Sequence, residues 1–249
     1  MRRFLFLMSA FLLLSAAVSA QTVDELIAKT AAARGGLAKL KAVQSVRLTG
    51  SFESGGMQAG FVEVAKRPSK LRRDITIQGV TLIQAYDGHI GWQIVPFTGK
   101  TEPEILTGED LKSIQEEADT DGPFLDYKLK GNKIELVGKE KVAGKDAYNL
   151  KVTLSSGSVR NIFLDAETFL TVKTTGKAIR GGMELSIESS LSDYRAADGI
   201  MVPFTVQVQV QGGDGQSQKI TFEKVEFNVP VDDAVFVMPA PKPAPAPKP

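Results

Sequence analysis

Apolar and polar residues alternate along most of the chain, which is the pattern of half-buried β-strands. The clearest alternating runs lie at 46–52, 71–77 and 202–210. The same pattern predicts further strands at 57–66, 80–86, 91–96, 133–141, 146–154, 159–165, 168–176, 183–194 and 218–227. Glycine pairs and Asp-Gly turns separate these runs, as expected of tight hairpins. About a dozen strands in succession therefore predict a single antiparallel meander.

Two segments break the alternation and predict helices. The first follows Thr22, which fits a capping box with Glu25, and continues with apolar residues at helical spacing. A short turn at 37–43 follows it, and the second helix is expected at 107–118. The fold class expected is mainly β with a few helices. We predict a single curved antiparallel sheet, a half-barrel or incomplete β-barrel, with helices covering its concave face.

The two ends of the chain differ from the region between them. Residues 1–20 have two arginines, an apolar run at 4–14 and small residues before Gln21, the pattern of a signal peptide cleaved after Ala20. A membrane anchor is the alternative, but the apolar run is shorter than the ~20 residues that a span needs. Residues 239–249 are rich in proline and predict a disordered, extended tail. The sequence thus predicts one domain at 21–238 in an exported, periplasmic protein.

Composition removes most routes to catalysis and to nucleic-acid binding. The 30 Lys and Arg residues oppose 29 Asp and Glu, so the formal net charge of +1 lacks the basic excess of a duplex-binding protein. The chain has no Cys and a single His, His89, which lies in a turn. Thiol nucleophiles and multi-histidine metal centres are therefore excluded. We expect no catalytic residue, no metal, no cofactor and no enzymatic activity.

Acidic residues cluster around the helix predicted at 107–118. They are Asp110, Glu116, Glu117, Asp119 and Asp121. Carboxylates in such numbers could hold Ca²⁺, but they lack the regular ligand spacing of a calcium loop. A solvated helix face is the interpretation that the sequence favours.

Four short motifs are distributed over nearly the whole predicted domain. They are VAKRP at 64–68, YDGHIGW at 86–92, GPFL at 122–125 and VFVMP at 235–239. In their order and spacing the chain resembles the periplasmic carriers of outer-membrane lipoproteins, also called outer membrane lipoprotein-sorting proteins. The resemblance implies an open, incomplete barrel that holds the acyl chains of a lipoprotein under a lid of helices during transit between membranes.

The resemblance also implies partners and one residue that controls the lid. The partners would be acylated lipoproteins or lipids, an inner-membrane donor and an outer-membrane acceptor, and we expect the carrier to be a monomer. Arg67, the arginine of the Lys-Arg-Pro motif, would hydrogen-bond to the lid backbone, for example near 122–125, and keep the empty cavity closed. The alternative function is a periplasmic sensor or scaffold on the same fold, which recognises lipid or lipoprotein and signals to a partner.

Strand parity and the resemblance together select candidates for the lipid-binding inner face. They are Leu48, Phe52, Phe61, Leu71, Ile75, Ile77, Trp92 and Phe124. The strand residues among them would also be packed core in any half-buried strand. On the strand at 57–66, Val62 and Val64 form an equally apolar alternate set, so the sequence does not decide which set faces inward. Trp92, the only tryptophan, is expected to report on the cavity.

Overall fold

The structure is a computed structural model that describes residues 21–180, 183–212 and 217–240. Within these ranges the α-helices are α1 (Val23–Ala33), α2 (Leu37–Ala42) and α3 (Gly108–Glu117), and 3₁₀ turns lie at Pro96–Thr98 and Asp233–Phe236. The strands are β1 (Ser45–Ser54), β2 (Met57–Lys66), β3 (Lys70–Ile77), β4 (Val80–Tyr86), β5 (Gly91–Val95), β6 (Lys100–Ile105), β7 (Lys133–Val142), β8 (Lys145–Thr153), β9 (Val159–Asp165), β10 (Thr171–Arg180), β11 (Met183–Ala197), β12 (Ile200–Gln211) and β13 (Gln218–Phe227).

All of these strands belong to one antiparallel sheet. Its order is β6-β5-β4-β3-β2-β1-β13-β12-β11-β10-β9-β8-β7, so β1 pairs with β13 in the middle and β6 and β7 form the two edges. The sheet therefore curves without closing on itself. This confirms the predicted fold class, a mainly β half-barrel with a few helices.

Helix α1 covers one arm of the concave face, over β7–β9. The capping box at its start is present, because the Glu25 amide donates to Thr22 Oγ1 and the Thr22 amide donates to Glu25 Oε2 over 2.9 Å. Leu26 is completely buried and packs against Leu150 and Ile162 of the sheet. Apolar burial thus fixes α1 on this arm.

Helix α3 covers the other arm, over β3–β5. Its buried residue Ile114 packs against Leu71 and Ala118 in a second core. Gly91 permits this close approach, since a Cβ there would lie 2.8 Å from Leu111 Cδ1. The two helices leave the middle of the concave face, around β1 and β13, without such a core.

The segment around the last 3₁₀ turn packs on the convex side of β3–β5. Trp92 Nε1 donates to the carbonyl of Phe236 over 2.8 Å, and Arg72 Nη1 donates to the carbonyl of Val235 over 3.0 Å. Successive side chains of a strand point to opposite faces. Because Gly91 meets α3 on the concave face, the neighbouring Trp92 lies on the convex face.

Some sequence predictions differ from the structure or lie beyond it. Strand β6 was not predicted, and β10 runs over Thr171–Arg180 instead of 168–176. The predicted signal peptide at 1–20 and residues 241–249 of the predicted tail lie outside the described residues. In the part of the chain that the structure describes, no helix has both the length and the apolar character needed to cross a membrane.

Gly50 should be intolerant of any side chain, because it lies where β1 pairs with β13 next to a shift in register. A Cβ there would come within 2.2 Å of the Thr221 carbonyl oxygen and 3.0 Å of the Phe61 ring. We expect Gly50→Ala to lower the free energy of unfolding by about 1–3 kcal/mol, as overpacking does. Urea denaturation measures this change. Gly60→Ala is the control, since its nearest neighbour would be 4.0 Å away, and equal losses would contradict a steric cause.

Candidate functional site

A cavity occupies the middle of the concave face, between the arms that α1 and α3 cover. Its volume is about 700 Å³, within the range of ~300–1,000 Å³ that is usual for ligand sites. Most of the sheet wall consists of apolar side chains from both halves of the sheet: Leu48, Phe52, Phe61, Ile75, Leu82, Ile179, Ile187, Val208, Ile220 and Phe222. The rings of Phe61 and Phe222 meet edge to face, with centroids 5.7 Å apart. The sheet therefore presents an apolar surface to any occupant.

The opposite wall of the cavity is α3, which we call the lid. It lines the cavity mainly with polar side chains, among them Glu109, Lys112, Ser113, Glu116 and Glu117. The cavity is thus mainly apolar on the sheet side, where Glu63, Arg73 and Lys177 are the charged exceptions, and mainly charged on the lid side. An amphiphile could lay an aliphatic chain on the sheet and keep a polar group near the lid.

Glu117 connects the lid to β3 through an ion pair. Arg73 Nη2 donates to Glu117 Oε2 over 2.8 Å, and Arg73 Nε donates to Glu63 Oε2 over 2.6 Å. Burial lowers the pKa of Arg73, but the charges of Glu63 and Glu117 outweigh burial and hold that pKa above its ordinary value. Arg73 therefore remains a cation in the cavity wall.

Glu116 connects the lid to the other arm of the sheet. Arg160 Nη2 of β9 donates to Glu116 Oε2 over 2.6 Å, and Ser156 Oγ donates to Glu116 Oε1 over 2.6 Å. Two adjacent glutamates thus pair with arginines on opposite arms. The lid spans the cavity with one ion pair on each side.

Arg67 connects the end of β2 to α2 and to the segment that follows the lid. Its Nη2 donates to the Leu40 carbonyl over 3.1 Å, its Nη1 donates to Asp121 Oδ2 over 2.7 Å, and its Nε donates to the Val43 carbonyl. Its side chain and that of Asp121 are only 22% and 18% exposed. Arg67 thus bonds to helix backbone, but at α2 instead of the carbonyls near 122–125 that the sequence suggested.

Half of the predicted lipid-binding residues line the cavity. These are Leu48, Phe52, Phe61 and Ile75; that they bind lipid stays a prediction. On β2 the inward residue is Phe61, whereas Val62 is 41% exposed. Ile77 shares the face of Ile75 but is not part of the cavity lining, and Leu71 is packed in the core beneath the lid.

Two predicted cavity residues lie elsewhere. Trp92 is buried on the convex face, so its assignment to the cavity was wrong; one step along the strand separates the two faces, and Gly91 takes the inward position. Phe124 lines a separate groove beside α1 and α2, because the segment after the lid turns toward those helices. The apolar character of Trp92 and Phe124 does not specify which way either side chain points.

The acidic cluster near the lid is largely paired instead of solvated. Glu116 and Glu117 bind the two arginines described above, Asp121 binds Arg67, and Asp119 accepts from Lys130 over 2.6 Å. The sequence contained a signal for these pairs. Arg73 alternates with Leu71 and Ile75 and so faces inward with them, and a cation on an apolar face needs a partner. Among residues 21–180, 183–212 and 217–240, no group of three or more Asp, Glu or His side chains is placed to hold a metal ion.

Comparison with known proteins gives matches in structure but not in sequence. No family model matches the chain, and no curated protein matches it. A DUF1329 family protein from Desulfovibrio piger is 16% identical, with a TM-score of 0.59 over 86% of this chain and 97% of the other. A LolA superfamily protein from Nitrosomonas europaea is 14% identical, with a TM-score of 0.58 over 85% of this chain and 96% of the other.

A third solved structure is a domain described as an outer membrane lipoprotein-sorting protein, from Vibrio parahaemolyticus. It is 12% identical, with a TM-score of 0.56 over 85% of this chain and 94% of that domain. At such identities the likeness is one of fold. The chain has the half-barrel fold of LolA superfamily and lipoprotein-sorting proteins, and the resemblance drawn from its motifs is confirmed at that level.

The position of Trp92 generates a fluorescence prediction. A ligand that fills the cavity should leave the emission of Trp92 unchanged, because its ring lies on the other face of the sheet. Leu82→Trp, made in a Trp92→Phe background, should shift to the blue on the same titration because Leu82 lines the cavity. The measurement is emission during titration with a tripalmitoylated lipopeptide. A saturable shift of Trp92 in the unmodified protein would contradict this geometry.

Proposed function

We propose that this protein is a periplasmic carrier that shields the acyl chains of lipids or lipoproteins in the cavity during transfer toward the outer membrane. The observation that carries the proposal is an apolar sheet surface, between two helix-covered arms, that the lid spans without packing against it. An acyl chain of ~16 carbons loses about 12 kcal/mol when it is exposed to water, at ~0.8 kcal/mol per CH₂. A soluble carrier therefore needs such a covered surface, and the shared half-barrel fold supports this use of it.

The attachment of the lid suits a cover that opens. Its cavity side is held by the pairs Glu117–Arg73 and Glu116–Arg160, in which one partner reaches solvent, Glu117 at 43% and Arg160 at 36% exposed, and the other is less exposed, Arg73 at 28% and Glu116 at 15%. Ion pairs that reach solvent contribute about 0–1 kcal/mol and are screened by salt. These two pairs therefore oppose opening of the cavity side only weakly, while Ile114 keeps the lid packed on its own arm of the sheet. We propose that cargo enters as a monomeric carrier meets an inner-membrane donor and leaves at an outer-membrane acceptor.

A charge on the floor of the cavity tests this function. Ile75→Asp should weaken binding of a tripalmitoylated lipopeptide by about tenfold or more, since an unpaired carboxylate is costly in an apolar site. Thr76→Asp is the matched control, because the neighbouring residue is exposed and points to the other face. Binding is measured by isothermal titration calorimetry on the purified protein.

The two variants separate the possible outcomes. Weak binding by Ile75→Asp alone supports the carrier cavity. Equal binding by both variants, or no lipopeptide binding by the unmodified protein, would refute it. Thermal unfolding of each variant establishes that both are folded.

Arg67→Leu tests the proposed control of closure. The change removes donors to Leu40, Val43 and Asp121, which weakens the closed state relative to the loaded state. We expect lipopeptide uptake to persist or strengthen while release to acceptor membranes slows. Half-buried Asp121 also loses its partner, so the free energy of unfolding should fall by about 1–3 kcal/mol. Uptake and release are measured with a fluorescent lipopeptide.

Two further variants show whether release depends on Arg67 itself. Arg47→Leu removes an exposed arginine and should release cargo normally, whereas Arg72 would be a poor control because it binds Asp74 and the Val235 carbonyl. Adding Asp121→Asn to Arg67→Leu should restore part of the stability but not the release. Normal release by Arg67→Leu would show that Arg67 has only a structural role.

A further inference from the structure

A second apolar space lies beside the cavity and shares none of its lining residues. We call it the helical groove; it has a volume of about 600 Å³ and is bounded by α1, α2 and the segment at 120–129. Its apolar walls include Ile27, Leu40, Phe124, Ile200 and Phe227. This volume and lining are within the range of sites for small apolar ligands.

The charged residues that line the helical groove are paired, with one exception. Asp24 accepts from Lys128 over 2.7 Å, Asp126 accepts from Lys41 over 2.8 Å, and Asp121 is bound by Arg67. Arg34 also lines the groove. Within residues 21–180, 183–212 and 217–240, its guanidinium makes no ion pair and no side-chain hydrogen bond. The nearby Tyr194 does not balance its charge, because burial raises the pKa of Tyr194 to about 12 and keeps that side chain neutral.

The backbone holds Arg34 firmly at this position. Arg34 is the residue that ends α1, and its carbonyl accepts from the Met201 amide over 3.0 Å. The next residue, Gly35, lies so close to the hairpin between β11 and β12 that a Cβ would be 2.3 Å from the Gly199 oxygen. Burial lowers the pKa of Arg34, but the guanidinium stays charged at neutral pH. A partly desolvated cation on a firmly held backbone therefore borders an apolar groove.

Two hydroxyl groups of the groove also lack partners. Thr30 is 3% exposed, and neither its Oγ1 nor that of Thr120 has a hydrogen-bond partner among the described residues. Both residues line the groove. Buried polar groups are nearly always satisfied, so two hydroxyls without partners in a groove that an unpaired arginine also lines indicate the place of a polar ligand group.

We propose that the helical groove binds a free fatty acid, with its acyl chain between α1, α2 and Phe124 and its carboxylate at Arg34. A guanidinium matches a carboxylate with two parallel hydrogen bonds. A phosphate monoester has a charge of about −1.5 to −2 at neutral pH, more than the one unpaired cation of the groove balances. This site shares no lining residue with the carrier cavity, so variants can disable one of them without touching the lining of the other.

The test uses ¹³C-carboxyl palmitate and the purified full-length protein. Palmitate should bind about tenfold more tightly than hexadecanol, which has the same chain without the charge, and Arg34→Gln should remove this preference. The carboxyl resonance of bound palmitate should titrate at lower pH in the unmodified protein than in Arg34→Gln, because the cation favours the ionised form. Arg47→Gln, at an exposed arginine, should leave both results unchanged.

Three results would overturn the proposal. They are equal binding of palmitate and hexadecanol, an unchanged carboxyl titration in Arg34→Gln, and absence of palmitate binding. If Arg34→Gln does not fold, Arg34→Lys keeps the charge but loses the paired hydrogen bonds, so it should bind palmitate more weakly than the unmodified protein and still more tightly than it binds hexadecanol; equal binding of the two ligands there would refute the role of the charge. Ile75→Asp should still bind palmitate, so failure of the carrier cavity and failure of the groove are separate observations.

Discussion

The structure depends on one constraint: the concave face of an open sheet is apolar and has to be kept from water. At both arms a helix meets this need with a dry core, in which Leu26 of α1 and Ile114 of α3 are 0% and 5% exposed. Between the arms the sheet remains apolar, but the side of α3 that faces it carries glutamates and a lysine. Such a face cannot form a permanent hydrophobic core with the sheet. The cavity exists because α3 packs apolar side chains against the sheet on one arm only.

The charges of α3 determine how the cavity is covered. Glu116 and Glu117 are neighbours in sequence, yet they pair with arginines on opposite arms, so the helix lies across the cavity without filling it. Apolar packing would have excluded a ligand as well as water. Over the cavity, ion pairs near solvent fix the direction of the helix and resist its displacement only weakly, while Ile114 anchors it on one arm. This combination distinguishes a cover from a core.

The sequence predicted the elements better than it predicted their faces. Strands with strict alternation, such as β1 and β3, were located well because a buried face imposes a period of two. Strand β6 was missed because Lys100–Ile105 includes Pro103 and no apolar alternation; as an edge strand it tolerates both. The sequence placed Trp92 correctly on a strand but on the wrong face of it. Apolar residues occur on both faces of β5, and the partner of each face, Phe236 or Ile114, is far away in sequence.

Long-range pairing also explains why the function of Arg67 could be predicted only in part. Its motif indicated bonds to helix backbone, but the acceptors Leu40 and Val43 lie in α2 and directly after it, and both line the helical groove, as does Asp121. Arg67 therefore holds the wall of the groove and, through the chain that follows the lid, one end of the lid. A single guanidinium at the end of β2 thus restrains both apolar spaces of the concave face. Loss of its bonds would loosen the groove directly and the cavity through Asp121, because both are covered by segments that meet at this side chain.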